Sequence, residues 1–386
     1  MNRYCATAGD ECLHMQGRVS DGRRSTWPHN KPFLARMSLM LLTVILAASA
    51  SAQGPSPLQA EGTRPVTPYL QPQHVVRIAD GRTINLVCLG QGSPTVVLTA
   101  GLGGWSMVWY RIQGPLSRRT RVCAWDPAGL GFSSPSPQAQ DAVHETEDLE
   151  EALKGAHLDG PYVMVAHSAG AYVDLRFADQ HRRTVVGMVL LDPSIPDQDA
   201  VRKRVAPKFA AFGDAVPRAA AERLRQCAAE LQSGSLKRGT PGFDECTAAP
   251  LPAGFSGLAE QLARLNVDPA RLLTQASAME NVPLSGREVI NPQRQYGDMP
   301  LIVLTAGNHP MPPDMPNEVR EQAALYFRAL SSGHDAYAAL STRGRNQLVP
   351  NSMHFIQLEN PAVVLGAINS VLTEIRPQPP HQSTAH

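Results

Sequence analysis

Five short apolar runs set the architecture of this chain. They are Thr95–Thr99, Thr120–Trp125, Tyr162–Val165, Val185–Leu191 and Pro300–Thr305. Each is close to continuous in aliphatic residues, so it offers no polar face to water. Such a strand must be covered on both sides, as strands are in parallel sheets flanked by helices. The segments between them supply the cover. Over 141–158, Leu149, Ala152, Leu153 and Ala156 form one face, with Glu147, Asp148, Glu150 and Glu151 around the other. That spacing predicts an amphipathic helix. Strands alternating with helices at this interval predict an α/β chain with a doubly wound, mainly parallel sheet.

Weaker signals extend the pattern. Val75–Ile78 and Thr83–Cys88 read as strands joined through the turn Asp80-Gly81, and a helix is expected to start near Trp105. The alternation then stops from Ile195 to Asn291, where Ala219–Leu231 and Gly257–Leu265 are the clearest helices. After Pro300–Thr305 come a helix over Pro316–Ser331, a strand over Asn346–Val349 and a last helix from Asn360. Asn360 suits an N-cap and Pro361 the first helical position.

The run at Tyr162 ends on chemistry. Tyr162-Val-Met-Val-Ala-His-Ser168-Ala-Gly170 places a serine between small residues, and helical spacing resumes at Ala171, Tyr172, Leu175 and Phe177. A serine hydroxyl is a poor nucleophile unless a sharp strand-to-helix turn lifts it beside a base and backbone N–H donors. Ser168 is therefore the candidate nucleophile.

Charge narrows the partners. The 386 residues carry a net charge of +1 without a long basic or acidic run, so neither nucleic acid nor an anionic membrane is indicated. Lys31 and Arg36 precede the apolar stretch Met37–Ala48, and Ala50-Ser51-Ala52 follows. This is the pattern of a secretory signal, and the stretch is short for a membrane span of ~20 residues. Met37 as the biological start, or an unusually long leading region, would account for residues 1–36. Export and cleavage before Gln53 are expected, with no membrane attachment afterwards. Cys5 and Cys12 would leave with the signal. Cys88, Cys123, Cys227 and Cys246 remain, either as the pairs 88/123 and 227/246 or as small buried hydrophobes. No metal-ligand spacing occurs, and no cofactor is expected.

In order and content these features resemble the α/β-hydrolase fold, most closely its bacterial serine esterases and proline-iminopeptidase-like group. Four segments carry the resemblance. Ala166-His167-Ser168-Ala169-Gly170 resembles the nucleophile elbow, with Ala166 for the usual glycine. Ala100-Gly101-Leu102-Gly103-Gly104 stands where the family has a His-Gly-x turn. The resemblance implies that the backbone N–H groups of Leu102 and Ala169 form the oxyanion hole. Asp126-Pro-Ala-Gly-Leu-Gly-Phe-Ser133 is similar to a family turn whose aspartate binds loop N–H groups. Ser352-Met353-His354, followed by Glu359-Asn360-Pro361, is similar to the Gly-His segment after the final strand, which makes His354 the general base.

The triad acid is the point of departure. The family's usual site, after the seventh strand, reads Ala306-Gly307-Asn308-His309-Pro310, with His309 in place of Asp. Asp192, ending the sixth strand, is the preferred acid, because a strand end holds a carboxylate more rigidly than a loop. Asp314, in a proline-rich loop, is the alternative. The organisation implied is an extension and signal over 1–52 and a linker over 53–71. The core spans 72–195 and 296–376, with a helical cap over 196–295 and a tail over 377–386. The resemblance implies an exported serine hydrolase acting on small-molecule esters or amides, most simply a carboxylesterase. The rivals are an aminopeptidase, lactonase or cofactor-free haloperoxidase on the same scaffold, and an inactive exported binding module. Oligomeric state is not addressed by the sequence.

Overall fold

The computed structural model describes residues 66–248 and 256–375. The signal segment, Cys5, Cys12, most of the linker and the tail expected over 377–386 lie outside the described residues. The sheet has eight strands: β1 (His74–Arg77), β2 (Thr83–Leu89), β3 (Thr95–Thr99), β4 (Val122–Trp125), β5 (Tyr162–His167), β6 (Val185–Leu191), β7 (Leu301–Ala306) and β8 (Gly344–Val349). Their spatial order is β1-β2-β4-β3-β5-β6-β7-β8. β1 and β2 pair antiparallel, β2 runs antiparallel to β4, and all later neighbours are parallel.

The helices are α1 (Tyr110–Leu116), α2 (Ala142–Gly155), α3 (Gly170–Gln180), α4 (Gln198–Val205), α5 (Pro207–Gln232), α6 (Phe243–Thr247), α7 (Ser256–Leu265), α8 (Pro269–Glu288), α9 (Asn317–Ala338), α10 (Ile356–Glu359) and α11 (Pro361–Glu374). Because strand side chains alternate faces, each buried strand feeds two cores. Met164 and Ala166 of β5 pack with Leu149, Leu153, Val173 and Phe177 of α2 and α3. Val163 and Val165 pack on the other face with Ile112, Leu116, Val364 and Ile368 of α1 and α11. Full burial of such side chains is worth roughly 1.5–3 kcal/mol each. The Asp141 side chain caps α2 by accepting from the His144 N–H at 3.0 Å.

Two expectations need correction. The linker expected to reach residue 71 ends sooner. Thr67–Tyr69 form a short 3-10 turn, and buried Tyr69 packs with Val87, Trp105 and Met107 while its hydroxyl donates to Gln113 Oε1 at 2.6 Å. An aromatic ring with a core to enter orders the chain around it. Asn360 precedes α11, but its side chain makes no capping bond.

Between β6 and β7 the described residues hold helices α4 to α8 and no strand. One of them is fastened to the loop leading from β4 to α2. From α8, Arg271 donates to the carbonyls of Ser133 (2.7 Å) and Gly131 (2.8 Å), and Gln275 to that of Gly129 (2.9 Å). Thr274, Ser277 and Ser285 accept from the N–H groups of Ser136, Gln140 and Ala142 at 3.0, 3.1 and 3.0 Å. Disulfides join Cys88 of β2 to Cys123 of β4, and Cys227 of α5 to Cys246 of α6.

Candidate active site

Every group in the site sits where a strand ends. β5 is buried throughout and stops at Ser168, whose φ of +53° lies in the left-handed region that a side chain seldom enters. α3 begins two residues later. The turn is pinned to the exit of β6: Ser168 N–H donates to Leu191 O, and Ser168 O accepts from Ser194 N–H, both at 3.0 Å. Glycines let the β3 loop close onto it. A Cβ on Gly170 would stand 2.4 Å from Ala100 O, and one on Gly101 would stand 2.8 Å from Ser168 Cβ. No side chain could occupy either place without moving the backbone. Among the described residues neither the Leu102 nor the Ala169 N–H has a backbone acceptor.

His354 lies on the loop between β8 and α10. Its Nε2 is 2.9 Å from Ser168 Oγ and its Nδ1 is 2.6 Å from Asp192 Oδ2. A carboxylate only accepts, so Nδ1 carries the proton and Nε2 faces the serine bare. Glu359 fixes the loop by accepting from the Met353 N–H at 2.6 Å and the Ser352 hydroxyl at 3.2 Å. Asp192 follows β6, is 4% exposed and has φ +41°. Its second oxygen accepts from the Ala306 N–H at the end of β7, at 3.1 Å. Burial alone would raise its pKa. The His354 hydrogen bond and charge, the nearby His334 and the Ala306 N–H outweigh burial and hold it below the usual carboxylate range.

The other sequence candidates are placed as follows. Asp314 is exposed in the loop before α9 and no hydrogen bond joins it to His354. His309, where the acid would ordinarily stand, stacks on Phe327 with centroids 3.8 Å apart and planes 3° from parallel. Asp126 is fully buried and accepts from the N–H groups of Ser106 and Phe132 and from Asn85 Nδ2. It serves its own turn and is separate from the His354 contact chain.

One site residue escaped the sequence reading. His167 is 2% exposed, directly before the serine, and its Nε2–H donates to the His354 carbonyl at 2.9 Å. Its ring lies 4.6 Å from the His354 ring and 5.0 Å from that of Phe355. Burial, with the His354 charge acting the same way, pulls its pKa down to about 3, so it stays neutral. An ionisable ring closing an otherwise apolar strand was the available signal. A cavity of about 410 Å³ also reaches Asp192. Thr305, His309, Phe327, Leu330 and Leu348 are among its walls, and Ser168 and His354 are not. Among the described residues no group of His, Cys, Asp and Glu could hold a metal ion, and no helix is long and apolar enough to cross a membrane.

Comparison with known proteins agrees with this architecture. The family model described as "Alpha/beta hydrolase family" matches residues 96–367. Among solved structures, a thermophilic esterase from Thermogutta terrifontis superposes with a TM-score of 0.51 at 20% identity, covering 80% of this chain and 100% of that one. The haloalkane dehalogenase DatA from Agrobacterium tumefaciens C58 gives 0.53 at 19% identity, covering 78% and 96%. Uncharacterized protein YqjL of Bacillus subtilis is 33% identical over 108 residues, which are 28% of this chain and 43% of that protein. The chain thus spans less than half the length of the curated relatives it matches.

Proposed function

Since the chain belongs to the alpha/beta hydrolase family, we propose that it is an exported serine hydrolase that cleaves carboxylic esters through an acyl-enzyme. One observation carries the reading: the unbroken chain of contacts from Ser168 Oγ through both ring nitrogens of His354 to Asp192.

In this mechanism His354 Nε2 takes the serine proton as Oγ attacks the ester carbonyl. The developing oxyanion is held by the N–H groups of Leu102 and Ala169, which the fold leaves without backbone acceptors. Asp192 stabilises the imidazolium and keeps the ring in the tautomer that presents a bare Nε2. The imidazolium then protonates the leaving alcohol. In the second half His354 draws a proton from water as its oxygen attacks the acyl carbonyl, then returns that proton to Ser168 Oγ as the acyl–Oγ bond breaks and the acid leaves. All steps run on side chains and backbone already in place.

Export is supported by the Met37–Ala52 segment and by the two disulfides, which persist in oxidising compartments. A mature chain beginning near Gln53 is expected, and an exported chain retaining residue 1 would contradict cleavage. The catalytic reading is tested by fluorophosphonate labelling, since only an activated serine reacts. Wild type should label and Ser168→Ala should not. Labelling that survives in Ser168→Ala, or a wild type inert to the probe, overturns it. A panel of aryl esters, lactones and amino-acid amides then ranks substrate classes, with esters expected to lead.

A further inference from the structure

Asp192 leaves β6 in a left-handed conformation, and a carboxylate that must aim at Nδ1 to within a fraction of an ångström cannot sit on a loose turn. The turn is not loose. Three successive carbonyls after Asp192 each accept a hydrogen bond from a buried side chain of another element. His334 Nε2 is 2.8 Å from Pro193 O. The Tyr337 hydroxyl donates to Ser194 O at 2.8 Å, and the Tyr172 hydroxyl to Ile195 O at 3.0 Å. His334 and Tyr337 come from α9, and Tyr172 from α3. α9 approaches this closely because Gly333 has no side chain: a Cβ there would stand 2.5 Å from Ile195 Cγ2.

His334 is 0% exposed. A carbonyl cannot donate, so Nε2 holds the proton. Nδ1 lies 2.8 Å from the Thr305 hydroxyl oxygen, which is also 2.7 Å from Asn346 Oδ1. Burial lowers the His334 pKa while Asp192 pulls the other way. Thr305 belongs to β7, next to Ala306, whose N–H holds the other oxygen of Asp192. The same group of side chains therefore fixes both the backbone beneath the acid and the strand end that orients its carboxylate.

We infer that His334 and Tyr337 are positioning residues for the acid, setting the Asp192 carboxylate against His354 by gripping the Pro193 and Ser194 carbonyls. This rests on the serine-hydrolase reading above. Neither residue reaches the reacting atoms, so each acts through Asp192 alone. Loosening the grip lets the carboxylate drift from Nδ1, and the imidazolium loses stabilisation. Substrate binding is left as it was.

The test uses the full chain and p-nitrophenyl acetate. Tyr337→Phe removes one hydroxyl without changing shape, and it should lower kcat about 10-fold with KM unchanged. His334→Phe should lower kcat about 100-fold, the scale of an ~1 Å misplacement. His334→Gln, which can keep an N–H toward Pro193 O, should restore most of the rate. In an Asp192→Asn background, Tyr337→Phe should cost less than about 2-fold, since the two then report one interaction. A folded Tyr337→Phe with wild-type kcat overturns the inference, as does a cost that persists undiminished beside Asp192→Asn. If His334→Phe does not fold, Tyr337→Phe decides alone. A wild type that neither hydrolyses ester nor labels with fluorophosphonate is a different result, and it defeats the serine-hydrolase reading itself.

Discussion

Replacing Asp192 with asparagine gives the sharpest test of the site, because the structure dictates how the amide must sit. The residue occupies φ +41°, a region asparagine enters as readily as aspartate, so the backbone need not change. The Ala306 N–H points at Oδ1 from 3.1 Å. That position must remain an acceptor, so the amide oxygen goes there and the NH₂ takes the place of Oδ2. The NH₂ then lies about where Oδ2 now stands, 2.6 Å from His354 Nδ1. Two N–H groups cannot face each other, so the ring moves its proton to Nε2. That proton points at Ser168 Oγ, 2.9 Å away, and the nitrogen can no longer receive one. A triad in the wrong tautomer loses about 10⁴ in kcat, which is ~5.5 kcal/mol at 1.36 kcal/mol per decade. The assay is initial-rate hydrolysis of a p-nitrophenyl ester near neutral pH, with active sites counted by fluorophosphonate titration. KM should hardly move. An Asp192→Asn enzyme retaining more than about a tenth of wild-type kcat refutes the tautomer argument. A steep loss in Asp314→Asn instead would transfer the acid to the loop.

Three further outcomes are expected. Gly101→Ala should lower kcat by about 10²–10³, because its Cβ would stand 2.8 Å from Ser168 Cβ and 3.0 Å from His167 Nδ1, displacing the neighbouring Leu102 N–H; unchanged kinetics would remove that donor from the mechanism. Asp174, buried with Oδ1 accepting from Thr99 at 2.6 Å and Oδ2 unpartnered, has its pKa raised by burial to about 8. The unfolded carboxyl releases its proton near pH ~3.9, so the folded state binds one proton more between there and pH ~8, and stability falls as pH rises through that window. Asp174→Asn should flatten this fall, which is on the order of several kcal/mol, in urea unfolding followed against pH; an equally steep variant would assign the slope elsewhere. Removing the Cys227–Cys246 bridge, with a sequence separation of 19, by a double serine substitution should cost about 3 kcal/mol in the same assay. A loss within error would mean that the crosslink does not constrain the unfolded chain.

How far the sequence could be read depends on which interactions act locally. The strands were legible because burial on both faces leaves a continuous apolar run, as in Val163, Met164 and Val165. Ser168 and His354 were legible because each stands at a strand end within a recognisable turn. The acid was only half legible. Strand-end rigidity favoured Asp192 over Asp314, but only the packing of β6 beside β5 and β7 shows it brought to His354. His334 and Tyr337 gave no signal at all, since their partners lie in the turn after β6, more than 140 residues away. Helix α8 went unseen for another reason. The face it turns toward the β4–α2 loop is built from Arg271, Thr274, Gln275, Ser277 and Ser285, so it lacks the apolar stripe that periodicity detects.

That polar seam has an evolutionary consequence. Along the loop from Gly129 to Ala142, α8 grips main-chain groups in every bond described above, and any residue but proline offers the same N–H and C=O. Ser136 and Gln140 can therefore drift in sequence without releasing the helix, whereas Gly129 and Gly131 cannot, since a Cβ there would stand 2.8 Å from Thr274 Cβ and 2.3 Å from Asp126 Oδ2, respectively. The helix has no such freedom, because losing any one of its polar side chains strands a main-chain group with nothing to bond. Mutational scanning should find Ser136 and Gln140 permissive and the α8 side chains that bond their main chain, Thr274 and Ser277, strict.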